Sequence, residues 1–527
     1  MTTPDPAKPD PAAPAALAAR LIMPALDLRG GESPAFDEAM QRMAAAPWCG
    51  FLLFGGEVNQ VRRITRSLRT IAADRDFPRP FFTCDVERGL GQIVQGGSLW
   101  PSLEALAACN DGEARARAMG EAIGRESLAV GIDWPFVPVL DLSDLAANPI
   151  VGARSFGPEP ETVIRLGTAF VQGLESTGAL ACGKHFPGHG GTLADSHDTL
   201  PTVQHDADQL RSRDLAPFRE VIRRTPLSSI MTAHVAYPAL AEAGEARLLP
   251  ATLEPAILRG VLREELGFEG IIVSDAFIMS GLTDACGGDE AEAAVRALAA
   301  GCDLILYPAD PEAVQARIAA EIEQRGTEWI QPSLDRIAAR KQQPIDWSGL
   351  ETAVNEGPLA AARDQARILA RSAMADAEVA LLAPGCDLRV VVLDDDGGQG
   401  AAANTARDAG LDFLAALHGK IGELRQSHLD PDSDERAIAV VHEQLAAESC
   451  ETVYLIRCSI RAWKGRPGLH PKLAEALHKG RELTRGRDRV VALGGRRVLE
   501  PLGITGLLAY GEGAACEDEA VRRLFTG

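Results

Sequence analysis

Eight short apolar runs, each followed by a longer stretch with apolar residues three and four apart, restrict the folds open to this chain. The runs are Leu21–Leu26, Gly50–Phe54, Pro80–Asp85, Ile132–Asp141, Gly178–Phe186, Leu227–Val235, Gly270–Asp275 and Cys302–Pro308. Between them lie Val58–Ala73, Ala114–Ala129, Thr162–Ser176, Asp206–Arg224, Glu254–Leu266 and Asp289–Ala300, which carry the period of a helix. Runs without polar alternation predict strands covered on both faces. Strands of that kind joined by helices pair in parallel. Eight such units suit a closed (β/α)8 barrel of the TIM type, with an open doubly wound sheet as the alternative the same pattern allows. The polar residues favour the barrel. Asp85, Asp141, Lys184, His185, His234 and Asp275 stand at or just past the carboxyl ends of different predicted strands, where barrel loops converge on one face.

The rest of the chain extends this plan. Residues 1–18, Pro/Ala-rich as far as about Pro14, read as a disordered lead-in, and 19–345 as the catalytic barrel. Ser333–Lys341 reads as a helix, and 346–380 as a helical linker containing the run Glu356–Ala375. Residues 381–527 read as a smaller α/β sandwich domain. Its predicted strands are Leu388–Asp394, Ala437–His442, Thr452–Arg457, Arg489–Gly495 and Gly506–Gly511. The loop Leu393–Gly400 lacks the spacing of a dinucleotide-binding turn and reads as an ordinary strand-to-helix connection. A length of 527 residues excludes a single small binding module, and a net charge of −21 opposes nucleic-acid and anionic-membrane partners. The opening residues lack the basic start and apolar core of a signal peptide, so a cytoplasmic location is expected. The ten cysteines include no C-x-x-C pair and read as reduced core residues.

Five of the ten histidines lie between His185 and His234, most of them in the run Lys184–Pro201. A metal site is one reading, with His185, His189 and His197 as ligands and Asp195 adding an oxygen. The glycines and prolines of the run deny it helical i, i+4 convergence. Loop histidines binding backbone carbonyls are a second reading. The third is acid/base chemistry: in Asp195-Ser196-His197 the carboxylate fixes the imidazole tautomer and aims its other nitrogen at a substrate. Asp275, anchored at the end of a buried strand, is either a rigidly held carboxylate at the barrel mouth or the cap of the next helix.

Five blocks carry a family resemblance: Asp85–Gly89 (DVERG), Asn148–Gly157 (NPIVGARSFG), Lys184–Gly190 (KHFPGHG), Asp195–His197 (DSH) and Ser274–Gly281 (SDAFIMSG). Over roughly Arg20–Lys341 the chain resembles the family 3 glycoside hydrolases, in the β-N-acetylglucosaminidase branch that uses histidine as acid/base. The resemblance implies a retaining exo-β-N-acetylglucosaminidase acting on small oligosaccharides, cell-wall fragments or chito-oligosaccharides, without metal or organic cofactor. It makes Asp275 the nucleophile, His197 the acid/base and Asp195 its partner, with Asp85, Arg154, Lys184 and His185 holding sugar hydroxyls. Transfer of the sugar to phosphate and sugar binding without turnover are the alternatives. The chain departs from the family pattern at Arg88, at Ile93 where an arginine is expected, and at Ala276-Phe277, which puts one sugar contact and the pocket width in question. In relatives of the histidine type the C-terminal domain is accessory or absent, so glutamates such as Glu435 and Glu443 read as surface charges.

Overall fold

The computed structural model describes residues 10–29, 33–143, 148, 150–192, 200–241, 248–279, 282, 284–345, 356–395, 411–458 and 468–526. Nine short strands fall on the eight apolar runs: β1 Ile22–Met23, β2 Ala25–Asp27, β3 Gly50–Phe54, β4 Phe81–Cys84, β5 Trp134–Pro135, β6 Cys182–Phe186, β7 Ser229–Thr232, β8 Ile271–Ala276 and β9 Leu304–Leu306. They form two parallel sheets, in the orders β2-β3-β4-β5 and β1-β9-β8-β7-β6. Pro24 divides the first run in two, because a proline has no N–H to give to a ladder.

That first run belongs to both sheets. Ile22 and Met23 pair with Ile305 and Leu306, while Ala25–Asp27 pair with Leu52–Phe54. At the opposite edges the segment after β5 meets β6: Cys182 N donates to Val137 O (2.9 Å), and Leu140 N donates to Lys184 O (2.7 Å). The residues of β3, β4, β6, β7 and β9 are nearly all buried, as expected when helices cover a parallel sheet. Helix Val58–Asp74 shows how: it turns Val61, Ile64 and Leu68 inward at three- and four-residue spacing.

After the helix Glu356–Ala373 comes a third sheet of β10 Leu388–Asp394, β11 Leu424–Leu429, β12 Glu451–Arg457, β13 Asp488–Leu493 and β14 Leu507–Leu508. All its pairings are parallel and its order is β11-β10-β12-β13-β14, a doubly wound arrangement. Among the described residues the protein is therefore an α/β architecture whose three sheets are parallel. Among the described residues no helix is long and apolar enough to cross a membrane, and no cysteine is in a disulfide.

Two expectations need correction. Ala437–His442 is not a strand but the middle of helix Glu435–Ala447. The Asp434 carboxylate caps that helix by accepting from Ala437 N (2.7 Å), and Val441 and Leu445 are buried four residues apart. The strand there is β11, whose sequence LRQSHL is mostly polar because it lies at an exposed sheet edge. The lead-in also ends before residue 18. A helix begins at Pro14, a residue suited to a first helical position, and runs to Ala19 with Leu17, Ala18 and Ala19 buried. Gln315 on helix Pro311–Arg325 donates to the carbonyl of Ala15 (2.8 Å).

Candidate active site

The carboxyl ends of β4, β6, β7 and β8, with the segment after β5, supply an ionic cluster and three histidines. Beyond β4 the chain carries Asp85 and Glu87, the second in a turn closed by Gly89 N donating to Val86 O (2.9 Å). Between them lies the ammonium of Lys184 from β6, 2.6 Å from Asp85 Oδ1 and 2.8 Å from Glu87 Oε1. Glu87 also receives a two-pronged bond from Arg154, with Nε 2.9 Å from Oε2 and Nη2 2.7 Å from Oε1. Lys184 and Glu87 are buried, whereas the Asp85 side chain is 41% exposed. Burial alone would push the Glu87 carboxyl up. Arg154 and then Lys184 more than reverse this, and it stays far below the usual range. Four charges thus hold one another, and Asp85 is the most exposed of them.

His185, next to Lys184, faces Asp141. The buried Asp141 carboxylate lies 2.7 Å from His185 Nδ1 and accepts from the backbone N–H groups of His185 and His189. Its burial acts to raise its pKa, and the attraction of His185 overcomes this to lower it. An Asp–His contact of this kind fixes which ring nitrogen carries the proton, leaving Nε2 for other partners. His189 Nδ1 lies 2.9 Å from Thr192 Oγ1, and the His185 and His189 rings stand edge to face with centroids 6.0 Å apart. The Nδ1 atoms of both rings are therefore spent on protein groups. Among the described residues no group of three or more His, Cys, Asp or Glu is arranged to hold a metal.

Asp275 follows the buried residues Ile271–Ser274 of β8, and its Oδ1 accepts from the N–H of Ala276 (2.7 Å). Burial works against its ionisation. His185, His234 and Lys184 work for it and prevail, so its carboxyl lies below the ordinary value and is charged at neutral pH. His234 is held by Thr252 Oγ1 (2.8 Å) and lies 3.3 Å from the carbonyl of Ala276; burial lowers its pKa. The cluster thus presents an anionic carboxylate beside histidines, with a half-exposed Asp85 anchored by Lys184.

Of the residues singled out in the sequence, Asp85, Arg154, Lys184, His185 and Asp275 are in this region, and Asp195 and His197 lie outside the described residues. Glu87, Asp141 and Asn148 are structural centres that received no role from the sequence. Each had a signal: the D-x-E spacing for Glu87, a strand-end position for Asp141, and the NPIVGARSFG block for Asn148. The departures are also placed. Arg88 donates to the carbonyls of Trp100 and Glu512 (both 3.0 Å), Ile93 packs against the hydrophobic core, and Phe277 is buried with its ring edge-on to His234.

His189 gives the site a measurable acid sensitivity. Burial, reinforced by the charge of His185, takes its pKa down to about 4. An unfolded histidine titrates near ~6.5, so on acidification the unfolded chain takes up this proton before the folded one. The stabilisation from a neutral His189 is complete above pH ~6.5 and is lost as pH falls through 4, about 3 kcal/mol in all. Glu126 and Glu175, each pushed by burial up to about 7, act in the opposite sense. They remain in a His189→Gln variant, so the difference between it and the parent isolates the imidazole. Unfolding free energies measured from pH 7 to 4 should fall less steeply for the variant; parallel curves would show that folding does not lower the pKa of His189.

Residues 20–339 match the family described as "Glycosyl hydrolase family 3 N terminal domain". A β-hexosaminidase of Idiomarina loihiensis is 36% identical over 289 residues, covering 53% of this chain and 82% of that protein. β-Hexosaminidase A of Pseudoalteromonas piscicida is 35% identical over 274 residues, covering 49% of this chain and 45% of the relative, so the match spans less than half of that longer protein. A solved glycoside hydrolase family 3 β-N-acetylglucosaminidase from Paenibacillus sp. is 26% identical with a TM-score of 0.80, covering 97% of this chain and 96% of that one. With its matched segment spanning the whole ionic and histidine cluster, the chain belongs to glycosyl hydrolase family 3.

Proposed function

We propose that the protein is a retaining exo-β-N-acetylglucosaminidase that removes terminal N-acetylglucosamine from cell-wall fragments or chito-oligosaccharides in the cytoplasm. The observation that carries this reading is Asp275: an ionised carboxylate held by Ala276 N–H at a strand end, within the influence of His185, His234 and Lys184. The catalytic part is taken as residues 19–345, with its two sheets the halves of one (β/α)8 barrel. The hydrogen bonds from the 137–140 segment to β6 and the double membership of Ile22–Asp27 support that closure.

In this reading Asp275 attacks the anomeric carbon while His197, oriented by Asp195, gives its proton to the departing glycosidic oxygen. The carbon–oxygen bond breaks as the bond to the carboxylate forms. His197 then takes a proton from water, the resulting hydroxide displaces Asp275 from the sugar, and the product keeps the starting anomeric configuration. Asp85, anchored by Lys184, binds sugar hydroxyls together with Arg154 and His185.

A panel of 4-nitrophenyl β-glycosides tests the substrate class. The N-acetylglucosaminide should be hydrolysed faster than the glucoside and galactoside, with β-N-acetylglucosamine as the first product seen by proton NMR. An initial α product would refute retention. Accumulation of a sugar 1-phosphate in phosphate buffer would replace hydrolysis by transfer, and binding of N-acetylglucosamine without cleavage of any member would replace enzyme by sensor.

A further inference from the structure

The loop that follows Asp141 is gripped from the far end of the chain. Strand β13 ends at Leu493, and the following turn, Gly494-Gly495-Arg496-Arg497, packs against residues of the N-terminal part. A side chain at position 495 would run into the Glu104 carboxylate and come 2.9 Å from Ala153 Cβ, so glycine permits the approach. Arg496 closes an ion pair with Glu104, and the mostly buried Arg497 donates through Nη1 to the carbonyl of Asn148 (3.4 Å) and through Nη2 to that of Ser143. Asn148 passes the hold onward. Its side-chain Nδ2 donates to the carbonyls of His189 and Gly190 (2.9 Å each), while its Oδ1 accepts from Ile150 and Val151 N–H (2.8 Å each). Thr192, three residues before Asp195 in the chain, is bound to both Asn148 and His189.

We propose that Arg497 is a positioning residue for the acid/base step. Through Asn148, the C-terminal part fixes His189–Thr192, the stretch from which the segment bearing Asp195 and His197 departs. The inference rests on the role given to His197 above, and it makes proton delivery depend on a mostly buried residue some 300 positions away in sequence.

Leaving-group dependence separates this role from general loosening of the fold. A 2,4-dinitrophenolate leaves without a proton, whereas the sugar leaving group of chitobiose needs one, and kcat/KM reports this first step alone. In the full-length protein Arg497→Ala should lower kcat/KM for chitobiose on the order of 10- to 100-fold, as a small misplacement of a catalytic group does. It should lower kcat/KM for the dinitrophenyl substrate by less than about threefold, with part of the chitobiose activity restored in Arg497→Lys. Arg496→Gln, which breaks only the neighbouring ion pair, should show no such selectivity. Should Arg497→Ala not fold, Asn148→Ser should carry the same selectivity. Equal losses on both substrates in the folded variants, with His197→Ala still selective, would overturn the role of Arg497 and leave the catalytic reading standing. An unselective His197→Ala would overturn that reading itself, and this inference with it.

Discussion

Asp275→Asn is expected to lower kcat/KM for an aryl N-acetylglucosaminide by at least roughly a thousandfold, more than about 4 kcal/mol of transition-state stabilisation. The amide has nearly the shape of the carboxylate and keeps an oxygen for the N–H of Ala276, so the thermal midpoint should move little. What it loses is the charge that His185, His234 and Lys184 favour, and with it the atom that would bond to the sugar. The smaller Asp275→Ala offers a second measurement. With azide present, the anion can enter the space left by the carboxylate and attack the anomeric carbon as the activated leaving group departs, giving the glycosyl azide of inverted configuration. Turnover of Asp275→Asn within about tenfold of the parent, or an azide product of retained configuration, would remove Asp275 from the proposed role.

The strands of the first two sheets and their parallel pairing were legible because each run is mostly apolar and the connections have helical period, so local and long-range preferences agree. Legibility failed where they disagree. AIAVVH has the β-branched content of a strand, yet the aspartate cap before it and the apolar spacing of Val441 and Leu445 decide for helix. LRQSHL looks like loop because an edge strand leaves polar side chains in water. At the site, strand-end position located Asp85, Lys184, His185 and Asp275, since a strand terminus fixes a side chain in space. The clamps made by Asn148 and Arg497 act through backbone carbonyls, which have no side-chain signature, and no spacing rule links positions 349 residues apart.

The ionic cluster divides into a structural half and a sugar-facing half, and paired substitutions should separate them. Glu87 is buried between Lys184 and Arg154, so Glu87→Gln leaves two cations facing a neutral amide while only Asp85 remains to balance Lys184. Breaking a buried pair by removing one partner costs about 3–5 kcal/mol, because the desolvation of the remaining charge is no longer offset. Asp85→Asn removes a carboxylate that is 41% exposed, where solvent screens the loss, so its cost in stability should stay near or below about 1 kcal/mol. The order reverses for substrate. The Asp85 carboxylate is the open member and should lose sugar hydrogen bonds, so Asp85→Asn should raise KM more than its stability loss would suggest. The low folded pKa of Glu87 implies that its contribution is full above the unfolded value near ~4.3 and fades only in strong acid, so both variants should be compared at neutral pH. Urea unfolding and steady-state kinetics on the two proteins settle the division: if Asp85→Asn is the less stable of the two, or Glu87→Gln unfolds like the parent, the cluster is not organised around a buried Glu87.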